Sequence, residues 1–270
     1  MQLFDHEGRG NPLVSSRVFN KKKSSYYKIK EFNIDLKKIY ENLERYGHLD
    51  RRINYEIFQE RYEHLKKLIE LDNNYKNLLN GPFIPFIIFN ETAVQDIGVT
   101  LEKEYLPSLK DAFENHFPGS HFKAILQGES KLDSSITFDH NSNYQEFVDL
   151  SKRGLVGIYF PQALQEFDIE SQRSFMNDLP NHTDFKVCLS GGFDICTALI
   201  SYPGLLINEK NYSPILCMSS FKHSDDRLVL LLKSYGPHLE FWCMTQMLTP
   251  KTKQVSEQWA GGITIFIGIN

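Results

Sequence analysis

The chain has 270 residues, of which 41% are hydrophobic, 13% aromatic and 24% charged, and it contains 16 glycines and 11 prolines. These proportions exclude a disordered tail, a collagen-like repeat and a coiled-coil rod, because each of those classes requires a stronger compositional bias. The formal net charge of −4 is unevenly divided: residues 1–80 carry 16 Lys and Arg against 12 Asp and Glu, whereas residues 81–270 carry 14 against 22. We therefore expect a globular protein with a basic N-terminal part.

The first 30 residues lack a regular apolar pattern, and we predict that they form a mobile arm. Lysines are concentrated in residues 21–30, where Tyr26 and Tyr27 lie between them and acidic residues are absent. A basic segment of this kind favours contact with a protein or with an anionic partner. We do not expect nucleic acid to be that partner, because the charge is modest and no DNA- or RNA-binding motif accompanies it.

Two amphipathic helices are predicted next, since apolar residues recur at intervals of three and four. Asn33 or Asp35 can cap the start of the first helix, and Gly47 can end it in the left-handed conformation. The second helix is predicted to run from Tyr55 to Leu79. The short loop between them indicates an antiparallel helix pair.

From residue 81 onward the pattern changes to short apolar runs separated by turn residues, which is typical of strands. The predicted strands lie at residues 83–89, 122–126, 135–138, 155–160, 215–219, 227–233, 238–244 and 263–269. The predicted helices lie at about residues 108–117, 144–152 and 169–179, the last with Asp168 as its cap. The turn at residues 234–237 indicates an antiparallel hairpin near the end of the chain.

These elements predict an α+β fold, in which a helical N-terminal segment precedes a mixed, largely antiparallel sheet that is covered by helices. We expect residues 1–80 to form the basic arm and the helix pair, and residues 81–270 to form an α/β body that ends in a β-meander. No change in composition after residue 81 requires a second domain, so the two parts can belong to one continuous domain.

The sharpest candidate site is Ser190-Gly191-Gly192, which precedes a predicted helix. Backbone N–H groups at a helix N-terminus attract anions, so these three residues are candidates for binding an anionic ligand. Cys196 lies close to the same helix start, where a thiolate is favoured, and it is a candidate nucleophile. A structural interpretation fits equally: Ser190 as the helix cap and Cys196 as a core side chain. The sequence contains no complete phosphate-binding loop or nucleophile elbow.

His223 and Asp225 form a second candidate site, in a loop between two predicted strands. Histidine and aspartate side chains are suited to proton transfer. With Ser190 or Cys196 as nucleophile, a histidine could support a hydrolase or transferase reaction. The alternative is ordinary turn chemistry, in which the aspartate stabilises the loop.

The four cysteines form neither a C-x-x-C pair nor a standard zinc spacing. We therefore expect free thiols in a reducing, cytoplasmic compartment, and neither a metal nor another cofactor. No apolar run approaches the roughly 20 residues that cross a bilayer, and we expect no membrane span. The first residues lack the apolar core of a secretion signal, although export by another route is left open.

Six segments carry a resemblance to a known family, in this order: the helical region 42–71, the strand 84–89, the strand 155–160, the capped helix 189–200, the Tyr-Pro-Gly-Leu-Leu segment 202–206 and the strand 239–243. In this order they resemble a family of uncharacterised bacterial proteins, a domain of unknown function, over about half of the chain. The chain departs from that family at residues 265–268, where a Trp-Leu-Gly-like strand is typical, and at residues 91–153, which look like an insertion. The resemblance implies a bacterial source and no particular activity.

The function that these observations favour is binding or interaction, with the basic N-terminal part facing the partner. Two alternatives remain from the same residues. One is a hydrolase or transferase that uses Cys196 or Ser190 with a histidine, and the other is anion binding at Ser190-Gly191-Gly192.

Overall fold

The computed structural model describes residues 2–20, 23, 26–47, 49, 53–89, 94, 96–126, 132–208, 212–245, 247–249, 252–253 and 255–269. The helices are α1 (Leu36–Tyr46), α2 (Tyr55–Leu71), α3 (Ile97–Thr100), α4 (Leu106–His116), α5 (Tyr144–Ser151), α6 (Ile169–Phe175) and α7 (Gly192–Ser201). Short 3-10 turns lie at Lys76–Asn80 and Met176–Asp178, and a π-helical turn at Leu101–Tyr105 joins α3 to α4.

The strands are β1 (Ile84–Ile88), β2 (Phe122–Ile125), β3 (Ile136–Phe138), β4 (Leu155–Gln165), β5 (Lys186–Leu189), β6 (Ile215–Cys217), β7 (Phe221–His223), β8 (Leu228–Tyr235), β9 (His238–Thr245), β10 (Met247–Thr249), β11 (Thr252–Lys253) and β12 (Trp259–Gly268). In the described part of the chain, the main sheet has eight strands in the order β1-β4-β12-β6-β8-β9-β2, and β5 also pairs with β12. Two of its pairings are parallel, β12 with β6 and β2 with β9, and the others are antiparallel. The fold is therefore α+β with a mixed, largely antiparallel sheet, as the sequence predicts.

The helix pair forms as predicted, with two differences at the helix ends. Asp35 caps α1 by accepting a hydrogen bond from the Lys38 amide at 3.1 Å. Gly47 ends α1 with φ −90° and ψ −179°, so the predicted left-handed conformation is wrong and the backbone is extended there. Helix α2 ends at Leu71 rather than Leu79, because the Asp72 carboxylate accepts the amides of residues 74 and 75 and diverts the chain into a turn.

The described part of residues 1–30 packs against the body, which differs from the predicted mobile arm. The Phe4 side chain is fully buried against Tyr75 and Phe175. The Arg9 guanidinium makes a buried ion pair with Glu166 at 3.0 Å. An irregular sequence pattern excludes a long helix or strand, but it does not show that single apolar side chains are exposed.

Helix α7 lies at the centre of the molecule. All ten of its residues are buried. It packs between the β1–β4 edge of the sheet and the helices α1 and α4. Because α7 has no solvent-facing side, both of its ends depend on partners from elsewhere in the chain.

Candidate functional site

A buried polar network surrounds the start of α7. The Asp194 carboxylate accepts hydrogen bonds from the Gly191 amide at 2.8 Å, the Tyr144 hydroxyl at 2.8 Å and the Thr264 hydroxyl at 2.6 Å. The Ser190 hydroxyl lies 3.0 Å from the Thr264 hydroxyl and extends the network by one group. Asp194, Ser190 and Thr264 each have essentially no solvent exposure. The network therefore joins α7 to α5 through Tyr144 and to β12 through Thr264.

The Tyr144 hydroxyl is the acceptor at the N-terminus of α7. It accepts hydrogen bonds from the Phe193 amide at 3.1 Å and the Asp194 amide at 3.2 Å, while it donates to the Asp194 carboxylate. Amides at this position are the ones that bind an anion in a ligand site. An anion at Ser190-Gly191-Gly192 would have to displace a buried phenol from both amides.

The two glycines at this helix start allow aromatic rings to approach the backbone closely. A Cβ at Gly191 would lie 2.6 Å from the Phe221 ring and 2.8 Å from the Tyr144 ring. A Cβ at Gly192 would lie 2.6 Å from the Phe221 ring and 2.9 Å from Leu101. Gly191, and not Ser190, is the cap residue of α7. Within the protein, Ser190 therefore lies against Thr264, the Gly191 amide donates to Asp194, and both glycines pack closely against aromatic rings.

Burial dominates the electrostatics of this network. Desolvation raises the pKa of Asp194, and the hydrogen bonds from Thr264, Tyr144 and Gly191 oppose part of that rise. Burial together with the nearby Asp194 also raises the pKa of the Tyr144 phenol, which keeps its proton for the bond to the carboxylate. The hydrogen bonds thus offset part of the cost of burying the Asp194 carboxyl group and hold the network in the interior.

Cys196 lies on α7 with no solvent exposure. Burial raises its pKa well above the ordinary thiol value, and the Asp194 carboxylate raises it further. Neither Ser190 nor Cys196 makes a hydrogen bond to a histidine within the described part of the chain. The nucleophile–base contact of a hydrolase is therefore not formed by these residues as they are placed here.

We predict that the native protein reacts slowly with thiol reagents at pH 8. All four cysteines are buried, and burial raises the pKa of Cys217 to about 12 and that of Cys243 to about 11. Only about one Cys243 thiol in a thousand is then ionised at pH 8, against about one in four for an ordinary thiol. The measurement is the rate at which the thiols react with a chromogenic disulfide, compared between the native and the denatured protein. Rapid labelling of native Cys196 would contradict the prediction and favour the hydrolase alternative.

The structure places His223 at the end of β7, where it is buried, and not in the predicted loop; Asp225 lies in the turn between β7 and β8. The Asp225 amide donates to His223 Nδ1 at 2.9 Å, and the Asp225 carboxylate pairs with the Arg227 guanidinium at 2.6 Å. The hydrogen bond from Arg227 lowers the pKa of Asp225 to about 2. Because the carboxylate is directed at Arg227, it does not orient the His223 ring as the acid of a catalytic pair does.

Two grooves border a segment that the sequence did not single out as a site. We call residues 28–34 the strap, because they cross the surface between the grooves and line both. Groove 1 has a volume of about 640 Å³ and is also lined by residues of the N-terminal segment, such as Arg9, and by Gln162 of β4. Groove 2 has a volume of about 740 Å³ and lies where α1, α4 and α7 meet.

Contacts with β4 and with Tyr202 hold the strap and the residue before it in place. The Gln162 carboxamide accepts the Ile29 amide at 3.0 Å, and the Gln165 carboxamide donates to the Tyr27 carbonyl at 2.8 Å. At the other end, the Phe32 ring stacks on Tyr202 with ring centres 4.4 Å apart and an angle of 24° between the planes. The basic segment predicted from the sequence therefore continues into the wall of both grooves.

Groove 2 combines aromatic, basic and amide side chains. The Phe32–Tyr202 pair forms one wall, and Lys38 and His116 lie on its lining. Partial desolvation lowers the pKa of His116, and the positive charge of Lys38 lowers it further. Lys38 and His116 therefore both border the same groove.

The sequence did not predict most residues of the buried network or of groove 2, because these residues come from separate parts of the chain. Tyr144 appears in the sequence only as the start of a short helix, and Thr264 only as a strand residue. Phe32, His116 and Tyr202 are ordinary residues near predicted helix ends. No local spacing connects them. The lysine-rich composition of the first 80 residues was the one sequence feature that indicated the surface around the strap.

No known protein family, curated protein or solved structure shows a significant match to the chain. In the described residues, no group of three or more His, Cys, Asp or Glu side chains is arranged to hold a metal ion. Among the same residues, no helix combines the length and the apolar character needed to cross a membrane.

Proposed function

We propose that the protein is a binding protein and that its ligand or partner is captured, without covalent chemistry, at the strap and groove 2. The observation that carries this proposal is the groove itself, a concave site of about 740 Å³ with an aromatic wall and basic residues on its lining. Ligand sites typically have volumes of about 300–1,000 Å³ and combine apolar walls with a few polar groups.

The charge distribution also supports the strap and groove 2 as the binding surface. The N-terminal part of the chain is basic, and Lys28, Lys30 and Lys38 all line one of the two grooves. A protein or anionic partner that approaches the basic part would meet these side chains first. The candidate residues Cys196 and Ser190 support a reaction less well, since both lie in the interior.

A neutral fluorescent probe tests whether groove 2 binds. We expect 6-propionyl-2-dimethylaminonaphthalene to show a blue-shifted, saturable emission with the native protein, because the probe is planar, uncharged and small enough for the groove. The variant Gly204→Phe should abolish the saturable signal. Gly204 lies on the lining of groove 2 beside the Phe117 and Tyr202 rings, so a large side chain there would occupy part of the groove.

Gly204→Ala is the matched control. Its Cβ would lie 3.5 Å from Phe117 and 3.6 Å from Tyr202, which is ordinary van der Waals contact, so folding and probe binding should both be kept. Circular dichroism and thermal unfolding should be similar for the two variants and the wild type. The absence of a saturable signal, or equal signals from wild type and a folded Gly204→Phe variant, would refute groove 2 as the binding site.

A further inference from the structure

The aromatic wall of groove 2 favours a flat ligand. The Phe32 and Tyr202 rings are nearly parallel, and Phe117 lies on the same lining. Aromatic rings pack against one another in offset-stacked or edge-to-face arrangements, with a gain of about 0.5–1.5 kcal/mol beyond area burial. A fused two-ring ligand is compatible with a volume of about 740 Å³.

The basic groups of groove 2 favour an anionic group on that ligand. Lys30 and Lys38 line the groove, and in the described residues neither side chain has an ion-pair partner. His116 lies on the same lining as Lys38, whose positive charge contributes to the lowered pKa of His116. A carboxylate between Lys38 and His116 would pair with the Lys38 ammonium and would accept a hydrogen bond from the His116 ring.

Two carboxylates, those of Asp35 and Glu31, also line groove 2. Asp35 is the cap of α1, where its side chain accepts the Lys38 amide at 3.1 Å and its charge interacts with the positive end of the helix. Glu31 is exposed on the strap, which separates the two grooves. Neither carboxylate makes an ion pair with Lys38 within the described residues.

We propose that groove 2 binds a small aromatic carboxylate, with its ring against the Phe32–Tyr202 wall and its carboxylate between Lys38 and His116. This inference rests on the proposed function, since it names the ligand class of the same groove. The Asn42 amide donates to the Ser201 carbonyl at 3.0 Å and so ties the end of α7 to α1 at the lining of the groove.

Calorimetric titration with 2-naphthoate and with 2-naphthamide tests the proposal, because the two compounds differ in charge and hardly in shape. We expect the carboxylate to bind at least about tenfold more tightly than the amide at low ionic strength. Lys38→Glu should remove most of that preference. Lys37→Glu is the matched control: it makes the same change of charge one residue away, on a side chain that does not line the groove, and should leave the preference intact.

The outcomes separate this inference from the proposed function. Equal affinity for 2-naphthoate and 2-naphthamide, with saturable binding of the neutral naphthalene probe, would overturn the carboxylate preference and leave groove 2 as a binding site. An equal loss of preference in the Lys37→Glu and Lys38→Glu variants would show a general charge effect and would also overturn the proposed contact. If the neutral probe fails to bind as well, the proposed function itself is refuted.

Discussion

Replacing Tyr144 with Phe is expected to lower the free energy of unfolding by about 3 kcal/mol, because the hydroxyl satisfies three buried groups at once. It donates to the Asp194 carboxylate and accepts the amides of Phe193 and Asp194. Each buried polar group left unpaired costs about 1–3 kcal/mol, and phenylalanine keeps the ring but supplies no replacement. Thermal unfolding should show a decrease in Tm of roughly 6–12 °C.

Tyr159→Phe is the matched control for that variant. Both tyrosines are fully buried, but the Tyr159 hydroxyl has no hydrogen-bond partner within the described residues. Removal of an unpaired buried hydroxyl should be neutral or stabilising, since it relieves a desolvation penalty. Similar losses of stability in the two variants would show that the Tyr144 hydrogen bonds do not determine the effect.

Replacing Gly191 with Ala is expected to destabilise the fold by about 2–3 kcal/mol, through steric overlap in a closely packed interior. The added methyl group would meet the Phe221 ring at 2.6 Å and the Tyr144 ring at 2.8 Å, and also the Ser220 hydroxyl. Aromatic rings on two separate elements would have to shift together, which also disturbs the Tyr144 contact with α7. Chemical denaturation of the wild type and the variant measures the change.

The control for Gly191→Ala is again Gly204→Ala, because it adds the same methyl group where the neighbouring atoms lie 3.5 Å away or more. We expect this change to alter the unfolding free energy by less than about 0.5 kcal/mol. A stable Gly191→Ala variant that also lost the ability to bind sulfate would contradict the packing explanation. That result would support the prediction of an anion site at Ser190-Gly191-Gly192.

The helix and strand positions were largely predictable, because they depend on patterns along the chain. The interval of three and four between apolar residues identified α1 and α2, and the turn at residues 234–237 identified the β8–β9 hairpin. The end of α2 was not predictable from apolar spacing, since the pattern continues to Leu79 while the Asp72 side chain ends the helix. A local hydrogen bond thus overrides an apolar pattern.

The candidate sites were less predictable, because a short motif does not show which side chains meet it in space. Ser190-Gly191-Gly192 is compatible with an anion site until Tyr144, about 50 residues earlier, is seen to occupy the helix N-terminus. From the sequence alone, Cys196 could be a nucleophile; its burial within α7 is visible only in the structure. The residues of groove 2 carry no motif at all.

The sequence by itself determined the fold class, the helix pair, most strands and the basic N-terminal part, since each follows from composition or from periodicity between near neighbours. Only the tertiary structure decided the partners of the α7 N-terminus, the packing of the first 30 residues and the position of groove 2. The physical reason is the distance along the chain over which each interaction acts. Hydrophobic periodicity and capping involve residues a few positions apart, whereas burial and the hydrogen-bond partners of buried groups depend on contacts between distant segments. Composition and charge therefore located the basic part of the chain, and the tertiary structure brought the strap beside Tyr202, where groove 2 lies.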